Sequence, residues 1–539
     1  MKYLYTLLCS LVFLCGNSQT QKTISGDTLA ADFEYLVKLL ETSHPDPYSG
    51  FGGKVFFHKA AFDLKNQLLT SPHSLQKFHE QVSAFLSNLQ DGHTGLYGIN
   101  NETYFEQRIL PIRLKVIPDG LIVTGLPEKD KVLLGSRITA INDCQIDSLL
   151  SLIANIKPCE NIYDRYYQIC IGISKEYFLR QLFPKLDDSI SLTLLTPDNN
   201  TETIQLPLLE YKTATKKITA FVPTSNEIPT QQLSYKFLDK DKQVMIINID
   251  QIMARDNFEY IYNNNWGGLM EQMAGYYRMT GKDMPADTLE AIKNIPSFSE
   301  TFAEMLNVMK SHNSKTLIID LRGNGGGWTP ITLPTLYQLH GSRYVTTDMG
   351  TEFYQLISPL LLQKMNTDIG SFNHSRNSNW KIGDYTFSTV DTTNIPSVRE
   401  QCDYFIKYCM SSVPDLLMEQ KGKPIYTPQE IYVITDCYTF SAAFHYTFYL
   451  WKLGATVVGI PSRQAPNTFM EQTSFRLPHT GLQGSISNSQ QIFLPAKDKR
   501  AKIFYPDLMP SYDDYKKYNF DNNTEILFLL DKLKYQSLK

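Results

Sequence analysis

The chain has 539 residues, 42% of them hydrophobic, which is enough for more than one domain and a large apolar core. Lys and Arg total 51 against 55 Asp and Glu, a formal net charge of -4, so there is no broad basic footprint for nucleic acid. Tyr (32) and Phe (29) are plentiful, as in a globular protein or one that contacts sugars or peptides.

Lys2 precedes an apolar run from Leu4 to Cys15, followed by Gly16-Asn17-Ser18. This is a secretory signal pattern, and cleavage is expected after Ser18. Lipidation at Cys15 is disfavoured because Phe13 and Leu14 are bulky where small residues are needed. The run is too short for a permanent span, and no later segment has the length of a spanning helix. A secreted or periplasmic protein is therefore expected. Cys9 and Cys15 belong to the signal, and six cysteines remain. Export permits disulfides, and Cys144, Cys159 and Cys170 share one segment in which one pair could form. Cys402 and Cys409 are two helical turns apart and cannot pair within one helix. There is no CxxC pair, and no metal or cofactor is expected.

Apolar periodicity predicts helices over Asp27–Glu41, Phe56–Leu69 and Leu75–Leu89. The third ends at Gln90-Asp91-Gly92-His93-Thr94, where Gly92 fits a helix C-cap and His93 opens a strand from Thr94 to Tyr97. From about Phe105 to Leu209 short strands dominate: Ile109–Val116, Gly120–Gly125, Gly135–Asp143, and a hairpin of Ser189–Thr196 with Thr201–Leu206. Helical pieces interrupt them at Ile146–Ile156 and Tyr163–Leu182. A polar linker, Tyr211–Thr219, leads to a buried strand at Val244–Ile249. Residues 255–297 read as a mostly helical insertion and residues 328–427 as a long irregular one. Both read as walls or a lid over a cleft. The alternation of strands and helices in the second half argues for an α/β core with parallel pairing.

Two stretches carry the chemistry. Ile431–Asp436 is an apolar run, then Tyr438-Thr439-Phe440-Ser441-Ala442 turns into a helical run to Leu453. Strand, tight turn, Ser and helix together present a hydroxyl beside the free N–H groups of a helix start, which stabilise developing negative charge. Thr316–Asp320 is a second buried strand, and it ends in Leu321-Arg322-Gly323-Asn324-Gly325-Gly326-Gly327. Such a loop can bring backbone N–H groups close to a substrate. Taken singly, each has a plainer reading. Ser441 lacks a G-x-S-x-G setting and could be a helix N-cap, and the loop lacks the spacing of a Walker or dinucleotide loop.

As a pair, Leu317–Gly327 and Thr439–Ala443 resemble the C-terminal-processing, or tail-specific and tricorn-type, serine peptidases. The resemblance extends to the Asp91-Gly92-His93-Thr94 end of the helical cap, a PDZ-like middle with Gly135-x-x-Ile138-x-x-Ile141-Asn142, and Tyr505-Pro506-Asp507-Leu508. It implies an α/β, ClpP/crotonase-like core over residues 213–539, an N-terminal helical cap over 19–100 and a PDZ-like β-rich module over 101–212. It also implies peptide-bond hydrolysis with Ser441 as nucleophile. One branch of the family uses a Lys after the strand that follows the Ser helix. Here that place reads Pro461-Ser462-Arg463-Gln464, and Arg463 cannot serve as a base. The tricorn-like branch uses a His from the cap, which His93 matches, so His93 is the expected general base. The expected oxyanion donors are the N–H groups of Gly326, with Gly325 beside it, and of Ala442. The chain departs from that branch twice. Gly92 stands where a Ser precedes the His, and Lys497–Lys502 offers Asp498 where a Glu stands. Asp91 and Asp498 are the candidates to orient His93. His445, four residues past Ser441, is the rival base.

The expected partner is a peptide or protein substrate held through its C-terminus. Two other readings stay open: a non-catalytic ligand- or peptide-binding protein on the same scaffold, as in the retinoid-binding relatives of this family, and an esterase-like acyl hydrolase.

Overall fold

The computed structural model describes residues 23–98, 108–387 and 395–534. The expected signal and its cleavage site lie outside the described residues. Among the described residues, no helix is long and apolar enough to cross a membrane.

The chain opens with helices Gly26–Ser43, Lys54–Leu69 and Leu75–Ser87. The side chains of Ser25 and Ser74 cap the first and third by accepting the N–H groups of Thr28 and Lys77. Phe33, Leu36, Phe57, Phe78 and Val82 bury the shared face. The third helix stops earlier than its periodicity suggests. Leu89 N–H bonds back to Leu86 and Gln90 N–H to Ser87, and Gln90 rather than Gly92 takes the left-handed conformation at φ 53. Gly92 is therefore not a C-cap.

Next comes an antiparallel sheet. Its order is Thr201–Pro207, Ser189–Leu195, Arg137–Ile141, Gly120–Pro127, Ile218–Phe221, with Arg113–Ile117 also on Gly120–Pro127. Asn142 and Asp143, both at positive φ, make the tight turn expected after Ile141. Helices Ile146–Ala154, Ile162–Gly172 and Glu176–Leu182 pack on this sheet around Leu149, Ile169, Leu179 and Leu192. Cys144, Cys159 and Cys170 are all free thiols, so the segment has no disulfide; the Cys170 Sγ–H donates instead to Leu114 O at 3.2 Å. The Tyr211–Thr219 segment is not an open linker, since Tyr211–Lys217 is helical.

The second half is built on a five-stranded sheet of order Ser234–Phe237, Val244–Asn248, Thr316–Asp320, Glu430–Thr435, Thr456–Gly459. The first pair is antiparallel and the rest are parallel. The central strands read as unbroken apolar runs because both faces are covered. Leu317, Ile319 and Val433 pack under Phe298, Phe302 and Tyr446. Ile246, Ile318 and Ile434 pack under Ile526 and Leu529 of the last helix, Thr524–Lys532.

Residues 255–297 are mostly helical, as their sequence suggests. Residues 328–427 are more ordered than expected. They contain helices such as Leu333–His340, Ile369–Arg376 and Val398–Tyr408. They also contain the strand Glu352–Leu356, which pairs with Gln483–Ile492. The long strand Gln483–Ile492 pairs with Asn467–Arg476 and, at Gly484 and Ser485, with Gly95–Leu96. This last pairing carries the end of the cap onto the second half of the chain.

Candidate active site

Ser441 lies between strand Glu430–Thr435 and helix Ala442–Lys452. The turn before it is shaped by Asp436, whose carboxylate accepts the N–H groups of Tyr438 at 2.9 Å and Thr439 at 3.2 Å. The same carboxylate accepts Gly323 N–H at 3.0 Å, so one side chain fixes the serine turn to the glycine loop. Thr439 Oγ1 donates to Leu321 O at 2.9 Å, and Phe440 N–H donates to Asn324 O at 3.0 Å. Burial pushes the Asp436 carboxyl up to about 6, against the Gly323 hydrogen bond and Arg322.

Ser441 has φ 53 and ψ -124, a conformation that a residue with a Cβ holds only when its surroundings impose it. Its hydroxyl does not cap the helix that it starts. A Cβ placed on Gly326 would lie 2.7 Å from both Phe440 O and Ser441 Cβ and 3.0 Å from Ala442 N. Glycine is required there on space, and again on its φ of +106. The Gly326 N–H, expected to face the oxyanion, donates instead to Asn324 Oδ1 at 2.8 Å. Among the described residues, the N–H groups of Gly325 and Ala442 have no hydrogen-bond partner. Asn324 Nδ2 donates to Ile249 O at 2.8 Å and anchors the loop from behind.

His93 is brought in by strand pairing. Its backbone N–H donates to Asp91 Oδ1 at 2.8 Å, its carbonyl accepts Ser485 Oγ at 2.9 Å, and Thr94 Oγ1 accepts Ser487 N–H at 2.9 Å. Its ring stacks on Phe440, the neighbour of Ser441, with centroids 4.6 Å apart. The ring is buried and neither nitrogen makes a well-aligned hydrogen bond, to Ser441 or to another described residue, though the Phe469 backbone faces the ring. Catalytic hydrogen bonds are often unmade before substrate binds. Burial holds His93 below its ordinary pKa, with Asp91 opposing, so the imidazole is neutral at neutral pH. A cavity of about 260 Å³ borders it, lined by Gly92, Thr94, Tyr97, Gln168 and Arg463 among others.

His445 is a poor rival. Burial and the nearby His93 push it down to about 3, and its Nδ1 is hydrogen-bonded to Thr329 Oγ1 at 2.9 Å. His44 has another task. Its Nδ1 accepts Asp46 N–H at 3.1 Å, so Nε2 carries the proton and donates to Asp91 Oδ2 at 3.2 Å. Asp498 is taken by Arg500, whose Nε and Nη2 donate at 3.1 and 2.8 Å.

The sequence reading passed over two residues. Gln464 Oε1 accepts the backbone N–H of Ser441, and its buried Nε2 has no partner. The signal was its place, just after the strand that follows the serine helix, where one branch of the resembled family carries its Lys. Glu160 lies with Oε1 3.8 Å from His93 Nδ1. Asp91, His93 and Glu160 each offer a ligand atom within 4.8 Å of the others. Ligands around a tetrahedral zinc, with bonds of about 2 Å, sit roughly 3.3 Å apart. The Asp91 and Glu160 oxygens already accept protein N–H donors, so the cluster reads as acids around an imidazole.

The family model described as Peptidase family S41 matches residues 291–487, a stretch that contains both the glycine loop and Ser441. Over that stretch the chain resembles the serine peptidases of family S41. No curated protein matches the chain. The solved structure of mature CPAF is similar at 13% identity and a TM-score of 0.57, over 95% of this chain and 99% of that one. Mature CPAF complexed with lactacystin is similar at 14% identity and 0.55, over 94% and 99%. A photosystem II D1 C-terminal processing protease matches at 12% and 0.40, over 90% and 94%. The CPAF likeness extends the shared fold well beyond the S41 match, over the cap that holds His93 and the region that holds Glu160.

Proposed function

We propose that the chain is an exported serine endopeptidase that hydrolyses peptide bonds with Ser441 as nucleophile and His93 as general base. The observation that carries this reading is the backbone of Ser441, held at φ 53 between the glycine loop and a helix start with its hydroxyl uncommitted. The core is read as ClpP/crotonase-like, with the three opening helices as its cap. The β-rich region is read as a PDZ-like module that takes the substrate C-terminus.

In this mechanism His93 removes the Ser441 proton as Oγ bonds to the scissile carbonyl carbon. The carbonyl oxygen gains the negative charge and is met by the N–H groups of Ala442 and the Gly325–Gly326 edge. His93 then protonates the leaving amine as the C–N bond breaks. A water activated by the same imidazole releases the acyl group and restores Ser441. Gln464 holds the Ser441 amide, and its free Nε2 is a further donor beside the reacting groups.

A fluorophosphonate probe tests the reading. Labelling and peptide hydrolysis are expected to vanish in Ser441→Ala and to fall about 10³-fold or more in His93→Ala, while His445→Ala keeps both. No labelling of the wild-type chain sinks the hydrolase reading and leaves a binding protein on the same scaffold. Hydrolysis of esters without peptides leaves the acyl hydrolase.

A further inference from the structure

The acid that orients His93 has no owner among the residues singled out from sequence. Asp91 is committed to His44 and to the His93 backbone, and Asp498 to Arg500. The geometry points to Glu160, contributed by the β-rich region, as the positioning residue that holds the His93 imidazole for Ser441. This inference rests on His93 being the base.

Three observations meet at Glu160. Its carboxylate is buried and fixed from two sides: Oε2 accepts Ala465 N–H at 2.8 Å and Oε1 accepts Gly92 N–H at 3.2 Å. Those donors belong to the segment after the serine helix and to the residue just before His93. The backbone of Glu160 is fixed as well. Its N–H donates to Asp164 Oδ2 at 3.2 Å, and the next residue, Asn161, donates from Nδ2 to Ser462 O at 3.1 Å. A carboxylate held this way stays in place when the ring beside it changes charge.

The second observation is the vacancy that His93 shows. Both ring nitrogens are buried without a well-aligned partner, the Phe469 backbone facing the ring, and Glu160 Oε1 is the one carboxylate oxygen within 4.0 Å of a ring nitrogen among the described residues. Closing 3.8 Å to a hydrogen bond of about 2.8 Å takes a small ring movement. With Nδ1–H donating to Glu160, Nε2 presents its lone pair, the tautomer that can receive the serine proton. Burial, with Asp91 nearby, raises the Glu160 carboxyl well above its ordinary value, and the positive charge of the imidazolium favours its ionised form.

The third is Gly92. A Cβ there would lie 2.8 Å from Glu160 Oε1 and 3.2 Å from Phe440 Cζ. The serine of the tricorn-like pattern would press on this carboxylate and displace it from Gly92 N–H. The two departures noted in the sequence, Gly92 for Ser and no Glu near residue 498, therefore have one explanation: the acid enters from another part of the chain.

The test compares Glu160→Gln, Glu160→Asp and His93→Ala, alone and combined, in the full-length protein. Glu160→Gln keeps the shape and an acceptor for one N–H. It is expected to lower kcat about 10²- to 10⁴-fold with KM within about threefold and a melting temperature close to wild type. Glu160→Asp should recover at least about tenfold of that loss, and Glu160→Gln should cost nothing further on the His93→Ala background. Normal kcat in Glu160→Gln while His93→Ala is inactive overturns the role of Glu160 and leaves His93 standing. An additive loss on the His93→Ala background, or a large fall in melting temperature without rescue by Asp, assigns Glu160 a purely structural part and also overturns it. Full activity in His93→Ala removes the base itself, a separate failure.

Discussion

The imidazole of His93 and the phenyl ring of Phe440 lie 25° from parallel, their centroids 4.6 Å apart. Phe440 precedes the nucleophile, so the stack ties the position of the base to that of the serine through one covalent neighbour. The guanidinium carbon of Arg463 lies 3.8 Å from the centroid of the same ring, which makes Phe440 the shared platform for a cation and for the neutral imidazole.

Phe440→Leu keeps most of the volume and removes that platform. Stacked aromatic pairs contribute about 0.5–1.5 kcal/mol beyond their burial, so kcat is expected to fall by up to about tenfold. KM should hold, because the lost contact positions the base rather than the substrate. Steady-state kinetics on a peptide substrate separates the two constants. An unchanged kcat would mean that Ser485 and Ser487 alone fix His93.

The backbone of Ser441 makes an opposite prediction for stability. A residue with a side chain at φ 53, ψ -124 stores roughly 1–3 kcal/mol. Ser441→Gly should therefore raise the free energy of unfolding by about 1 kcal/mol while abolishing activity. Urea unfolding of Ser441→Gly against Ser441→Ala isolates the backbone effect, since both lack the hydroxyl.

Much of this was legible in the residues. The apolar runs Thr316–Asp320 and Glu430–Thr435 and the periodicity of the first three helices led to elements within a few residues of those observed, and the helical 255–297 insertion was read correctly. Residues 328–427 were not, because their helices are short and the strand Glu352–Leu356 exists only by pairing with Gln483–Ile492, far along the chain. Glu160 was invisible for the same reason. It meets Gly92 across 68 residues, and no local pattern marks it. Only the glycine at 92 hinted that something occupies the space of a side chain.

Acid titration of stability should report the buried histidines. His445 is lowered from 6.5 to about 3 and His340 from 6.5 to about 4, both mainly by burial. The unfolded chain takes up their protons first, so stability is full above pH 6.5 and falls as pH drops toward these values. Asp91 and Glu525, both held down at about 2, behave as carboxylates, and their contribution is lost only below about pH 4.5. Between pH 6.5 and 4.5 the histidines lower stability as pH falls, while Asp436, raised to about 6, takes up its proton in the folded chain and opposes them. His445→Gln should flatten the slope there by up to about 1.4 kcal/mol per pH unit. Urea midpoints measured across that window check it; an unchanged slope means that His445 reaches water.

Arg322, at the head of the glycine loop, pairs with Asp320 at 2.7 Å and Glu525 at 2.9 Å and donates to Asn523 Oδ1 at 2.9 Å. Glu525 also takes Lys115 at 2.7 Å and Tyr515 Oη at 2.6 Å. Arg322→Met leaves the buried Asp320 carboxylate without its cation, while Glu525 keeps Lys115, and is expected to cost about 3–5 kcal/mol in urea unfolding. Removing Glu525 together with Arg322 should cost less than the sum of the two single changes.

The same knot ties the glycine loop to residues 201 and 203 positions further along the chain. Asn523 and Glu525 thus brace, from the opposite face of the sheet, the loop that would receive the substrate oxygen. Loosening the last helix should therefore be felt at the loop, although no residue of that helix lies near Ser441 in sequence.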